Sequence, residues 1–251
     1  MSTENSNTAL TNYVLQLGDN ALVLGHRLSE WSSFAPNVEL DIALSNHALD
    51  LLGQARMLLT YAGELEGRGR DEDDLAYLRD PDAFTNVALC ELPNGDFAFT
   101  MMRQVLYASF TRAQFEALIS SKDEKLAAIA AKAEKELAYH LRHCGEWVVR
   151  LGDGTEESHK RTAAALEDVW PYVQTLLTQV EGESELVKSG VVPDRDALRV
   201  SWQNEIDAII SRASLRRPSD VEGFGGVHTE HLAPMLKEMQ VLKRQHPEAQ
   251  W

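Results

Sequence analysis

Glu136, Tyr139 and His140 form the pattern with the most chemical content in this 251-residue sequence. A helical bundle that holds a pair of iron ions uses a Glu-x-x-His step on each of two helices and a further carboxylate on each of the other two. The three-residue step sets carboxylate and imidazole on one inward face, a turn apart. In Glu136-Leu137-Ala138-Tyr139-His140 the carboxylate is present but Tyr139 stands where the imidazole belongs. The histidine comes one residue late, about 100° further round the helix. The stretch reads as an iron-carboxylate motif that has lost its metal chemistry.

The remaining acid–histidine spacings point the same way. Glu156–His159 is the one Asp or Glu followed three residues later by His, and it sits in a charged helix start after Gly152 and Gly154. There it suits the helix dipole better than a metal. On the second helix Asp50 is followed at that spacing by Gly53, which has no side chain to ligate with, and the third helix offers only Glu116. Glu136, His140 and His143 form a metal-like trio, so a mononuclear site is the alternative reading. His228 and His231 flank Glu230 at the mouth of the last helix, where Thr229 is expected to cap. No serine has a positioned His/Asp context, so no catalytic residue is assigned. Asp19, Asn20, Asp50, Gln54 and Arg112 fall on or beside apolar stripes. Buried charges need partners, so Asp19, Asp50, Arg112, Glu136, Tyr139 and His140 are expected to form a polar network where irons would otherwise sit.

The elements that position these residues are helical. Leu10, Tyr13, Val14, Leu17, Ala21, Leu24, Leu28 and Trp31 repeat at steps of three and four, predicting a helix over about 8–31. Further stripes predict helices over about 38–65, from Phe97 to Ile119, and to about Leu151, the last with a capping box at Ser121–Glu124. Residues 66–74 read as an exposed loop, 74–92 as short helical pieces, and Asp96 as a cap. A fifth helix is expected over about 156–181, bent by Pro171, a sixth from Pro193-Asp194 to about Ala213, and a terminal one near 229–245. Four long helices with a break between the second and third resemble a ferritin-like bundle with one crossover. The expectation is one all-α domain, a ferritin-like four-helix bundle with additional C-terminal helices spanning 1–251, with residues 1–8 flexible.

Composition bounds the function class. Hydrophobic residues make up 44% of the chain and the net charge is −15, with a pI near 4.9. That balance disfavours non-specific binding to nucleic acid or an anionic membrane. The opening MSTENSNTAL has neither a basic nor an apolar region, and no apolar run reaches the ~18 residues of a membrane span. The expectation is a cytoplasmic protein. Cys90 and Cys144 lie in apolar contexts without a Cys-x-x-Cys and read as reduced core thiols.

Six stretches carry a specific resemblance: LGDNALVLGHRLSEW (17–31), ELDIALSNHALDLLGQAR (39–56), ELPNGDFA (91–98), KELAYHLRH (135–143), RLGDGT (150–155) and GVHTEHLAPMLKEMQ (226–240). With them the chain resembles, from about Asn12 to Trp251, the C-subunit (PaaC) family of the bacterial ring-1,2-phenylacetyl-CoA epoxidases, also called phenylacetate-CoA oxygenases. The resemblance implies a ferritin-like fold and a structural, catalytically silent subunit that binds no metal or cofactor itself. It implies pairing with a homologous A subunit that carries the di-iron centre, and further subunits including a reductase that uses NADPH, flavin and iron–sulfur groups. The implied reaction is epoxidation of the aromatic ring of phenylacetyl-CoA with molecular oxygen.

That substrate has a long anionic tail, part of which this chain is expected to line. A neutral turn with free backbone N–H groups at a helix start suits such a tail. Ala83-Phe84-Thr85-Asn86, after the Asp80-Pro81-Asp82 turn, is the leading candidate, and Ser184-Glu185-Leu186 a weaker one among acids. In the alternative reading, Phe84 is core and Thr85 and Asn86 merely cap.

Overall fold

The computed structural model describes residues 3–219 and 221–249, with side chains from Asn7 onward. Among the described residues there are α- and 3-10 helices and no strand, so the chain is all-α. The α-helices are α1 (Thr3–Ser29), α2 (Val38–Glu66), α3 (Glu72–Tyr77), α4 (Phe97–Leu118), α5 (Glu124–Gly152), α6 (Glu156–Val169), α7 (Glu183–Ser189), α8 (Arg195–Arg212) and α9 (Leu232–Gln245). The chain divides into two compact units: residues 1–93, 180–186 and 226–251, and residues 94–179 and 187–225.

In the first unit α1 and α2 pack along their length. A Cβ on Gly18 would meet Leu59, and one on Gly25 would meet Leu52 and the Ala48 carbonyl. Partners descend as α1 ascends, so the pair is antiparallel, and side-chain-free positions let the backbones approach. The helix α1 starts earlier than its apolar stripe predicts, because Asn7 Nδ2 donates to the Leu65 carbonyl at the end of α2, 2.7 Å away. Of the segment expected to be flexible, Met1 and Ser2 lie outside the described residues and Thr3–Thr8 are helical. Asn37 caps α2 through its side chain, and Gly67, at φ 68°, closes it in the left-handed region that favours glycine. The expected 66–74 loop is cut short, because Asp71 and Asp74 form a reciprocal capping box that starts α3. Against α3 packs α9.

In the second unit α4 packs along α5, and α6 and α8 pack on both. Asp96 caps α4 as predicted. The cap of α5 is Asp123, not Ser121; the Ser121 hydroxyl instead donates to the Val191 carbonyl and accepts from the Asp123 N–H. Pro171 does more than bend the fifth helix: α6 stops at Val169 and a 3-10 segment runs over Trp170–Leu177, since proline cannot supply the N–H a continuing helix needs. Trp202 of α8 is buried between the helices, donating to the Ser109 hydroxyl at 2.9 Å and meeting Phe110 edge-on.

Candidate functional site

The densest polar chemistry lies inside the first unit, where α1 meets the segment 79–92 and the C-terminal segment. Asp19 on α1 is fully buried. Its carboxylate accepts from both terminal nitrogens of Arg79 and from the backbone N–H and hydroxyl of Thr85, each at 2.9 Å. Arg79 also donates to the Leu75 and Ala83 carbonyls, and its guanidinium lies 4.2 Å from the centre of the Phe84 ring. One helical residue on, Asn20 accepts from the Val87 N–H. Gln240 of α9 donates to the Ala76 and Arg79 carbonyls.

A second buried carboxylate, Glu91, organises the other half. It accepts from Asn86 Nδ2 at 2.9 Å, from the Thr229 N–H at 2.6 Å and from the Thr229 hydroxyl at 2.7 Å. His228 Nδ1 faces Glu91 at 2.6 Å and Nε2 faces the Phe84 carbonyl at 3.0 Å. Two acceptors on one ring favour the cation with two N–H donors. The Glu91 hydrogen bond accordingly raises the His228 pKa above its ordinary value, against the opposing effect of burial. Arg27 of α1 donates to the Glu91 and His231 carbonyls and to Glu30. Each buried acid thus faces a cation, and the whole ties 79–92 and 226–249 to α1. Asn86 Oδ1 is buried without a partner. The arrangement is a closed clamp, and no donor or acceptor on Asp19 or Glu91 is left at an open position where a reacting atom could sit.

The clamp absorbs the turn expected to receive an anionic tail. Phe84 and Asn86 are buried, and both donors of Thr85 point at Asp19. Ala83 remains exposed, but its carbonyl serves Arg79. In the weaker candidate, Ser184 and Glu185 are exposed in the first turn of α7 and Leu186 is buried; the segment continues as helix instead of breaking. The cap position of α9 falls to His231, without a side-chain bond of its own; Thr229 stands two residues earlier, where its hydroxyl donates to Glu91 and accepts from the His231 N–H at 3.2 Å. Sequence reasoning missed Arg79 and Glu91. The signal for Glu91 was an acid in the otherwise apolar turn Ala88–Glu91; Arg79, just past α3 and beside Asp80, gave none.

On α5 the predicted apolar stripe is the buried one, and the metal-like reading of Glu136 and Tyr139 falls one residue off it. Leu137 and His140 are buried, with Leu126, Ala130, Ala133, Leu141, Cys144 and Val148 on the same side. Glu136 is partly exposed and lies 3.8 Å from Lys132, while Tyr139 is exposed, stacked on His143 with Arg142 near its ring. The apolar stripe fixes the rotation of the helix, so the inward Glu-x-x-His positions hold Leu137 and His140. Glu136 and Tyr139 therefore do not belong to a buried network, and no group of three possible metal ligands among the described residues includes Glu136 or His140. Burial lowers the His143 pKa, helped by His140 and Arg150, and pushes the Cys144 thiol far up. Arg112 sits at a half-buried rim with Glu134 at 3.1 Å, Glu116 at 3.7 Å and Glu205 at 3.8 Å. Asp50 is half-buried on α2. The six residues expected to form one network thus fall into separate settings: Asp19 anchors the buried clamp and Arg112 a rim cluster with three acids.

A di-iron centre requires about four carboxylates facing inward. Among the described residues of the four long helices, the buried positions of α2, α4 and α5 hold no carboxylate, and the one on α1, Asp19, is neutralised by Arg79. The donor set does not fit the metal pair.

Comparison with known proteins agrees with this helical frame. Residues 1–251 match the family described as phenylacetic acid catabolic protein. The chain is 47% identical over 246 residues to the C subunit of the 1,2-phenylacetyl-CoA epoxidase of Escherichia coli (strain K12), covering 96% of this chain and 99% of that protein. The chain belongs to the phenylacetic acid catabolic protein family.

Proposed function

We propose that this chain is the structural, catalytically silent subunit of a multicomponent phenylacetyl-CoA epoxidase. It pairs with and stabilises a homologous A-type subunit that carries a di-iron centre, as a single ferritin-like domain in the cytoplasm. Electrons would come from NADPH through a reductase with flavin and iron–sulfur groups. The observation that carries the reading is the ligand count: among the described residues of four long helices of the kind that otherwise supply iron ligands, the one buried carboxylate is held by an arginine. Where an iron-bearing relative would use carboxylates, this chain has Leu137 and other apolar residues, which pack the helices without metal. Its own residues supply rigidity: Asp19–Arg79 and Glu91–His228 hold the connecting and C-terminal segments on α1.

The test is reconstitution. The A-type subunit alone should epoxidise phenylacetyl-CoA poorly or precipitate, and adding this chain should restore soluble complex and turnover without adding iron. Full turnover by the A-type subunit with the reductase and without this chain would overturn the proposal.

A further inference from the structure

The helix α2 has two apolar faces where a surface helix ordinarily has one. The inner one, with Leu44, Ala48, Leu51, Ala55 and Leu58, is buried. The outer one runs Val38, Ile42, Ser45, Leu49, Leu52, Arg56, in alternating steps of four and three. That is the heptad seam of a helix that packs on another helix. Three of its apolar members lie open, with Val38 71%, Ile42 57% and Leu49 66% exposed, and Phe34 just before the helix 79% exposed; Leu52 is half-buried. A Cβ on Gly53, beside the seam, would meet nothing within 4 Å, so a neighbouring backbone has room to approach there.

At its C-terminal end the seam opens into a pocket of about 370 Å³ between α1, α2 and α3. Leu22, Leu52 and Leu59 line it, with His26 and Tyr77 and a rim at Arg56, which pairs with Glu72 at 3.2 Å. His26 Nε2 is buried and has no partner. A buried polar atom left unpaired is costly, and here it borders a pocket of mixed lining, leucines on one side and Glu72 and Asp73 on the other, that a side chain could enter.

Charge selects the occupant. The flanks of the seam carry Glu39, Asp41 and Asp50, and the sequence has no Lys or Arg between Arg27 and Arg56. A second copy of this chain across a two-fold axis would set acids against acids. We propose that the outer face of α2, from Val38 to Arg56, docks one helix of a different subunit, with apolar residues at heptad spacing and lysine or arginine beside them, and that one of its side chains enters the pocket and hydrogen-bonds His26. This rests on the reading that the chain pairs with an A-type subunit, and it names the surface and the chemistry of that pairing.

The experiment titrates the full-length chain with the A-type subunit and reads complex formation by size-exclusion light scattering and by affinity. Leu49→Lys and Ile42→Lys should each weaken binding by roughly 30-fold or more, as central contact residues do. Glu39→Lys should also weaken it, and His26→Leu should weaken it about tenfold. Because residues 42 and 49 are exposed, the free variants should keep the wild-type helical spectrum and melting temperature. Val200→Lys, exposed on α8, should bind as wild type. If the wild type assembles and both Lys variants on α2 assemble equally well, the surface is wrong while the pairing stands. Unchanged affinity for His26→Leu would overturn the pocket contact. Assembly failing for the wild type would overturn the pairing and this surface together, and self-association of the free chain abolished by Leu49→Lys would assign the face to a second copy.

Discussion

Replacing Asp19 by alanine should be among the most damaging single changes in the first unit. The carboxylate accepts two bonds from Arg79 and two from Thr85, and both ion-pair side chains are almost wholly buried. Removing one partner of a buried pair strands the other charge, at about 3–5 kcal/mol. For a chain of this size each kcal/mol lowers the melting temperature by about 2–4 °C, so Asp19→Ala should melt about 6–20 °C lower. The double variant Asp19→Ala with Arg79→Ala removes the stranded guanidinium, and its loss should be well below the sum of the two single losses. An apolar pair, Asp19→Leu with Arg79→Met, should recover more still, because a packed hydrophobic replacement avoids desolvating two ions. The assay is thermal and urea unfolding of all variants by circular dichroism. A melting temperature for Asp19→Ala within about 2 °C of wild type, or strictly additive losses, would refute the clamp as a stabilising unit.

Further outcomes follow from the same geometry. Glu91→Gln should cost about 3 kcal/mol and, by hydrogen exchange, loosen residues 226–249 before α1 or α2; uniform protection of α9 would contradict this. Because the folded His228 pKa is raised, its contribution is complete below the unfolded value of about 6.5 and is lost as pH rises through the folded value. A His228→Gln chain should therefore lose the stability decline that the wild type shows on the alkaline side of about pH 6.5, read from urea midpoints across pH. His26 has the opposite sign: burial lowers its pKa, so it costs stability as pH falls below about 6.5, and His26→Leu should flatten the acid limb. Glu136→Ala should cost less than Asp19→Ala, since Glu136 is partly exposed and its ion pair with Lys132 lies at the surface; a loss as large as that of Asp19→Ala would return Glu136 to the core.

Most of the helical frame was legible in the sequence because apolar periodicity is a local signal that burial enforces. Most of the stripe residues of α1, α2, α4 and α5 lie in the core as predicted, Ile119 at the end of α4 being exposed; Asp96 caps α4 as predicted and the sixth predicted helix opens after Asp194. What failed was finer. On α5 a reading centred on Glu136 lost to the rotation set by small and apolar neighbours such as Ala133, Leu137 and Leu141, which turn His140 inward and Tyr139 out. The clamp was invisible because its members are far apart in the chain: Glu91 meets His228 and Thr229 across the sequence, and nothing local to an acid in a short 3-10 turn announces a partner so distant. Asp19 was flagged by its place beside an apolar stripe, yet its partner, Arg79, lies in a segment whose short helices carry little periodicity.

The central claim, a subunit whose helices have given up iron chemistry, is tested most directly by metal analysis. The purified chain, incubated anaerobically with ferrous iron and desalted, should hold far less than one iron per chain, while the complex with the A-type subunit treated alike should hold iron in proportion to that subunit. A pair of irons on the isolated chain, with the absorption of an oxo-bridged centre, would contradict the account.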